Sequence, residues 1–270
     1  MEKLIITIAP TGNVPTKKMT PHVPITPEEI AQDIMECYEA GAAVAHVHVR
    51  DEEGMPTSDT KRFAEIFEHL EKKACPIIKQ ISTGARGGKS AEERGASLVL
   101  KPQSASLSTG SSNFPTAVNA NEPLLINYLA ASMLENGIKA EIEVFDVAMI
   151  HNAVQLQKSG LIQGPLLFNL VLGVKGSLPA TAKNLFFLVE SLPPDAIWSV
   201  SIIGSNHVNL SMIAMALGGH VRVGIEDNIY YSKNVLATNR TLVERISSIA
   251  NAMGREIASP LDVMRIWKLN

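Results

Sequence analysis

Two histidines one residue apart, in the run Ala45-His46-Val47-His48-Val49-Arg50-Asp51, are the residues of this sequence best placed to do chemistry. Side chains two apart on a β-strand share a face, so on a strand His46 and His48 would present two imidazoles side by side. Such a pair is either a divalent-metal pair, imidazole suiting zinc and its neighbours, or two core histidines in need of hydrogen-bond partners. A second run, Gly219-His-Val-Arg222-Val-Gly-Ile-Glu226-Asp227-Asn228, ends in paired carboxylates with an arginine four residues before the first. Glu226 could complete a His, His, carboxylate set, and three protein ligands with one open position make a catalytic zinc site. The plainer alternatives are that Asp227 caps a following helix and that Arg222 is an ion-pair partner. A buried arginine needs carboxylates around it, and Glu143 is a candidate.

Three further segments offer polar groups. Ser82-Thr83-Gly84-Ala85-Arg86-Gly87-Gly88 is a Ser/Thr-Gly turn whose hydroxyls and backbone N–H groups suit a carboxylate or phosphate. The serine-rich run from Ser104 through Ser106 to Asn113 reads as a second polar loop, and Gly173-Val174-Lys175-Gly176 as a third, with Lys175 available to an anion. Together they make an anion-friendly rim. The sequence has no G-x-S-x-G elbow, P-loop or CxxC pair, and Cys37 and Cys75 read as small buried hydrophobes. His22, His69, His151, His207 and His220 are given no metal role.

These residues must be carried by strands. Short apolar runs at 4–9, 43–49, 76–81, 97–101, 141–145, 166–172, 198–203 and 220–225 read as strands, alternating with helical stretches beginning near Thr26, Asp59, Ala91, Glu122, Val147, Ala180, His207 and Ser232. Strict alternation implies parallel strands with right-handed crossovers. The count of eight, the length of 270 residues and the absence of a dinucleotide fingerprint after the first strand favour a single (β/α)8 TIM barrel over an open sheet. The active site should then lie where the strands end. No linker divides the chain, so one catalytic domain over 1–270 is expected. A composition of 46% hydrophobic residues excludes disorder, and a net charge of -3 argues against nucleic acid as a partner. The opening residues show no secretory pattern and no window suggests a membrane span, so a cytoplasmic protein is expected.

The combination of AHVHVRD at 45–51, STG at 82–84, EIEVFD at 141–146, LGV at 172–174 and GGHVRVGIEDN at 218–228 resembles the β-keto acid cleavage enzymes, best known for cleaving 3-keto-5-aminohexanoate. The resemblance runs over essentially the whole chain. It implies a TIM barrel holding Zn²⁺ on His46, His48 and Glu226, usually within a homotetramer. It also implies a reaction between a β-keto acid and acetyl-CoA that gives acetoacetate and a new acyl-CoA. The roles it carries over are contact with the keto acid for Ser82 and Ser106, and acid/base work for Glu143, Arg222 and Asp227.

Departures from the family pattern concern the substrate. Asn13 stands where the aminohexanoate-cleaving members have a glutamate suited to a distal ammonium, and Ser106 where threonine is usual. Lys101 and Gln103 replace His and Glu, and Ser205-Asn206-His207 replaces Arg-His-Gln. A neutral or anionic distal group is therefore expected, with Lys101 and Arg86 as carboxylate contacts. Two alternatives stand beside this reading: a metal-dependent hydrolase of the amidohydrolase type, and a barrel that has lost its activity.

Overall fold

Eight parallel strands close into a barrel in a computed structural model, which describes residues 2–84 and 89–269. The barrel strands are β1 (Ile6–Ile8), β2 (Val44–Val47), β3 (Ile78–Ile81), β4 (Ser104–Ser108), β5 (Lys139–Val144), β6 (Leu167–Leu172), β7 (Ile197–Ile202) and β8 (His220–Val223). Each pairs in parallel with its neighbours in sequence, and β8 pairs with β1 through Ile6–Val221 and Ile8–Val223 to complete the ring. The helices are α1 (Pro27–Glu39), α2 (Thr60–Lys72), α3 (Ala91–Gly95), α4 (Pro123–Glu135), α5 (Val147–Lys158), α6 (Ala182–Glu190), α7 (His207–Ala216), α8 (Asn239–Ala252) and α9 (Pro260–Trp267).

Local chemistry explains where several of them start. The Thr26 side chain accepts from the Glu29 N–H while Glu29 reaches back to the Thr26 N–H, and Pro27 fills the first turn, so α1 begins on a complete capping box. In α2, Phe63, Ile66, Phe67 and Leu70 recur at helical spacing and all are buried. The helices pack their apolar faces on the outward side of the barrel, where Ile6, Ile8, Val47, Ile142, Leu170 and Val200 join one continuous core.

The interior is different. Thr7, His46, Gln80, Ser104, Glu141, Asn169, Ser201 and Arg222 are buried polar residues. Several hydrogen-bond to one another across strands, as where Ser201 Oγ donates to Asn169 Oδ1 at 2.9 Å, while Asn169 Nδ2 is buried without a partner. Polar groups taken out of water cost free energy unless paired, so this lining is a specified network and not a filler.

Two elements differ from expectation. The fourth strand is Ser104–Ser108 and not the run at 97–101, which instead forms a 3₁₀ turn over Ala96–Leu100 following α3. Val99 in that turn is two-thirds exposed and Lys101 adopts a left-handed backbone before Pro102, so the apolar letters there do not mark a buried strand. SASLS is read as a loop because its alternate hydroxyls face the polar barrel interior. The last barrel helix starts at Asn239, not near Ser232; Tyr230–Ser232 and Val235–Leu236 form an antiparallel hairpin first. None of the described helices is long and apolar enough to cross a membrane.

Candidate active site

The strands deliver their chemistry to one end. His48, Ser82, Glu143, Val171, Ile203, Arg222, Glu226 and Asp227 line a single cavity of about 620 Å³ at the C-terminal mouth of the barrel, which is where such folds place their reactions.

His46 leaves β2 opposite Gln80 of β3, and His48 follows just beyond the strand, so the two-residue spacing brings the imidazoles together as expected. Their Nε2 atoms lie 3.3 Å apart. Glu226 reaches them from the turn after β8. That turn crosses the end of β1 so closely that a Cβ on Gly224 would overlap the Ala9 carbonyl oxygen. The Glu226 N–H donates to that same carbonyl, and the Ile225 N–H donates to Asn239 Oδ1 at 2.7 Å. Glu226 Oε1 consequently sits 3.4 Å from His48 Nε2 and 3.9 Å from His46 Nε2.

This set fits a tetrahedral ion. Two nitrogens each about 2.0–2.1 Å from one metal at a tetrahedral angle would be roughly 3.3–3.4 Å apart, which is the separation of the imidazoles. Glu226 Oε2 is buried without a hydrogen-bond partner, as a carboxylate awaiting a cation would be. The three residues are the one metal-ligating group of this kind among the described residues. Burial, with Arg222 nearby, lowers His46 to about 3, so its imidazole is neutral. Burial acts to raise Glu226, but Arg222 and the two imidazoles outweigh it and hold the carboxyl well below its ordinary range.

Arg222 organises the other side. Its guanidinium donates to Glu143 Oε1 at 3.1 Å, to Glu226 Oε1 at 2.5 Å, and to both oxygens of Asp227 at 3.0 Å. Asp227 therefore grips the arginine and does not cap a helix; the next one is capped by Thr238. Burial raises Asp227 to about 6 against the pull of Arg222, and burial likewise raises Glu143. One guanidinium facing three carboxylates leaves the site with an excess of negative charge, a further reason for it to take a cation.

The remaining expected residues divide. Ser82, Gly84 and Asn13 line the cavity, and so does Lys175. Thr83 and Ser106 are buried and engage each other beneath its wall: the Thr83 N–H donates to Ser106 Oγ at 3.3 Å and Thr83 Oγ1 to the Ser106 carbonyl at 2.6 Å. Both therefore hold the Ser82–Gly84 turn in place without lining the cavity. Lys101 is at the wrong end: it precedes β4 and is exposed on the face opposite the mouth, because the strand begins seven residues later than the apolar run suggested. Arg86 lies outside the described residues.

Several participants escaped sequence reasoning. Buried Arg50 donates to the carbonyls of Gly12, Gly54 and Pro15 at 2.8–3.0 Å and fixes the loop after β1 against Glu226. Buried Arg94 donates to the Thr83 carbonyl at 2.7 Å and to Asn121 Oδ1, tying down the Ser82 turn from below. Phe114 and Phe145 meet edge to face at 5.3 Å and form an apolar wall. Gln80 and Glu141 were also missed, and their only signal was the period of two that places Gln80 before Ser82 and Glu141 before Glu143 on the inner face.

Residues 3–269 match the profile of the β-keto acid cleavage enzymes. The chain belongs to that family. Among β-keto acid cleavage enzymes and their relatives, a 3-keto-5-aminohexanoate cleavage enzyme of Fusobacterium nucleatum is 42% identical over 271 residues, covering 100% of this chain and 99% of its own. A 3-oxoadipate:acetyl-CoA acetyltransferase of Cupriavidus necator is 42% identical over 259 residues, with 94% of this chain and 91% of its own covered. A solved complex of ObcA with oxaloacetate superposes with a TM-score of 0.78 over 93% of this chain and 68% of that one; at 22% identity it supports the barrel fold alone. Membership of this family leaves the amidohydrolase alternative without support, and β5 and β6 carry Glu143 and Asn169 where that alternative needs histidines.

Proposed function

We propose that this chain catalyses acyl exchange between a β-keto acid and acetyl-CoA, releasing acetoacetate and a new acyl-CoA that carries the distal part of the keto acid. The observation carrying the proposal is the convergence of His46, His48 and Glu226 with the Arg222–Asp227–Glu143 group at one cavity, in a chain whose relatives are named for that chemistry. His46, His48 and Glu226 would hold a divalent ion, zinc by preference of the donor set, which when bound supplies Lewis acidity for a β-keto oxygen. Ser82 and Gly84 receive the acid end of the substrate on the cavity wall. Asp227, with both oxygens aligned by Arg222, is the general base for the enolisable carbon, and Arg222 keeps the carboxylates apart as the proton moves. The apolar walls of Phe114, Phe145, Ile203 and Ile229 exclude water from the reacting carbons.

The distal group of the substrate is neutral or anionic on this reading. Every carboxylate lining the cavity among the described residues, namely Glu143, Glu226 and Asp227, is already bound to Arg222. Asn13 offers no charge, and Lys175 is the lining cation outside that cluster. A distal ammonium would find no partner, whereas a carboxylate would find Lys175. Exposed Tyr230, Val235 and Leu236 on the hairpin before α8 support self-association, with the homotetramer as the expected state. Incubating purified protein with acetyl-CoA and a mixed pool of β-keto acids, followed by mass spectrometry of the thioesters, tests the reading. A new acyl-CoA together with acetoacetate is expected. Free CoA without acyl exchange would overturn the reaction, and a clear preference for an amino-substituted acid would overturn the assignment of Asn13.

A further inference from the structure

The deepest unexplained feature lies below the cavity, where the barrel buries a glutamine and a glutamate that the reaction does not use. Gln80 is fully buried on β3 and Glu141 nearly so on β5. Gln80 Oε1 lies 2.6 Å from His46 Nδ1, and its Nε2 donates to Glu141 Oε2 at 2.9 Å and to Ser104 Oγ at 3.1 Å. The register explains the meeting, since Gln80 sits opposite His46 on one side and Ser104 on the other.

The direction of each bond can be worked out. Ser104 Oγ donates its own proton to the Lys139 carbonyl at 2.8 Å, so only its lone pairs are left for Gln80. The amide of Gln80 must therefore turn its NH₂ toward Ser104 and Glu141, and its carbonyl toward His46. A carbonyl oxygen only accepts, so the His46 proton is on Nδ1 and Nε2 carries a bare lone pair. That Nε2 is the atom facing His48 and Glu226. A reversed amide would force the proton onto Nε2 and point it at the metal-binding position.

We propose that Gln80, oriented by Glu141 and Ser104, is a positioning residue that sets the tautomer and ring direction of His46 for metal binding. Metal-bound histidines generally give their second nitrogen to a carboxylate or a backbone carbonyl. Here an amide stands between the ring and the carboxyl group, giving the same polarity while keeping the Glu141 carboxyl one residue away from the ligand. The inference rests on the metal reading of His46, His48 and Glu226.

Zinc affinity, measured on the full-length protein by competition with a chromophoric chelator, tests it, with the visible spectrum of the cobalt-substituted protein as a second readout. Gln80→Met keeps length and volume and removes both ends of the relay; the zinc Kd should rise 10- to 100-fold, with altered cobalt bands. Glu141→Leu should raise the Kd several-fold, Ser104→Ala less, and Glu141→Gln should restore it to within about threefold, because its carbonyl can still accept from Gln80. The double variant Gln80→Met/Glu141→Leu should be no worse than Gln80→Met alone, since both act through one ring. Variants that lose thermal stability as metal-free proteins but bind zinc and colour cobalt as the parent does would overturn the relay and leave the metal site standing. A parent protein that takes up no stoichiometric zinc would overturn the metal reading itself, and the relay with it.

Discussion

At Gly12 the backbone has φ +60°, and a Cβ there would overlap the Glu226 side chain at Cγ. The glycine is needed twice, for its conformation and for the space the carboxylate occupies. The two requirements can be separated, because Gly137 at the end of α4 has φ +69° with nothing within 4 Å of where a methyl group would stand. Gly137→Ala should cost only the strain of a left-handed alanine, about 1 kcal/mol. Gly12→Ala should cost that plus displacement of Glu226, seen as a fall in zinc affinity of about tenfold that Gly137→Ala does not share. Equal zinc affinities for the two variants would show that Glu226 gives way without loss. At this scale the sequence was informative where residue types are rare: H-x-H and G-x-E-D-N could be read because two imidazoles on one strand face and an acid pair at a strand end have few structural uses. Gly12, Gln80 and Glu141 were not legible. A buried amide on a strand looks like an interruption of an apolar run until its partners on two other strands are known.

Among the elements, the barrel was legible because the helices are amphipathic and capped, as with Thr26 and Glu29, and because most strands are apolar on their helix-facing side. Strand β4 was not, since three of its five residues are serines facing a polar interior while the preceding turn supplies an apolar run. That shift carried Lys101 from the mouth to the opposite face. The loop after β1 shows the complementary case, an element held by a residue of another element. Arg50, on the short strand Val49–Arg50 beyond β2, donates to the Gly12 and Pro15 carbonyls and so holds Asn13 and Val14 on the cavity wall. Replacing it with methionine leaves buried carbonyls without their donor, at a cost on the order of 3 kcal/mol. Urea denaturation of Arg50→Met should show that loss, and on the proposed function the KM for the keto acid should rise more than kcat falls, because Asn13 and Val14 line the cavity and are not among the groups assigned to the reacting atoms. A variant with lowered stability and an unchanged KM would mean that the loop stays in place without Arg50.

For the whole molecule, the net charge of -3 sets no direction for binding, but two groups remote from the cavity, one half-buried and one buried, each contribute to how stability varies with pH. Asp33 of α1 is raised to about 7, chiefly by burial, although it accepts a hydrogen bond from Asn239 at the start of α8. Between its ordinary value of 3.8 and 7, the folded protein keeps a proton that the unfolded chain has lost, so this group makes stability fall as pH rises through that window. His220 at the base of β8 is lowered to about 3, first by burial and then by Arg255, while its Nδ1 accepts the Ile5 N–H. Between 3 and 6.5 the unfolded chain holds a proton that the folded histidine refuses, so this group makes stability rise with pH. The two oppose each other from about pH 4 to 6.5, and of this pair only Asp33 acts from there to 7. Asp33→Asn, which can still accept from Asn239, should therefore make the urea midpoint rise relative to the parent's as pH increases from 4.5 to 7. His220→Gln, which can still accept from Ile5, should do the reverse between about pH 4.5 and 6.5. Parallel profiles for Asp33→Asn and the parent would mean that Asp33 is ionised in the fold, and that the α1–α8 contact is a charged hydrogen bond in place of a neutral one.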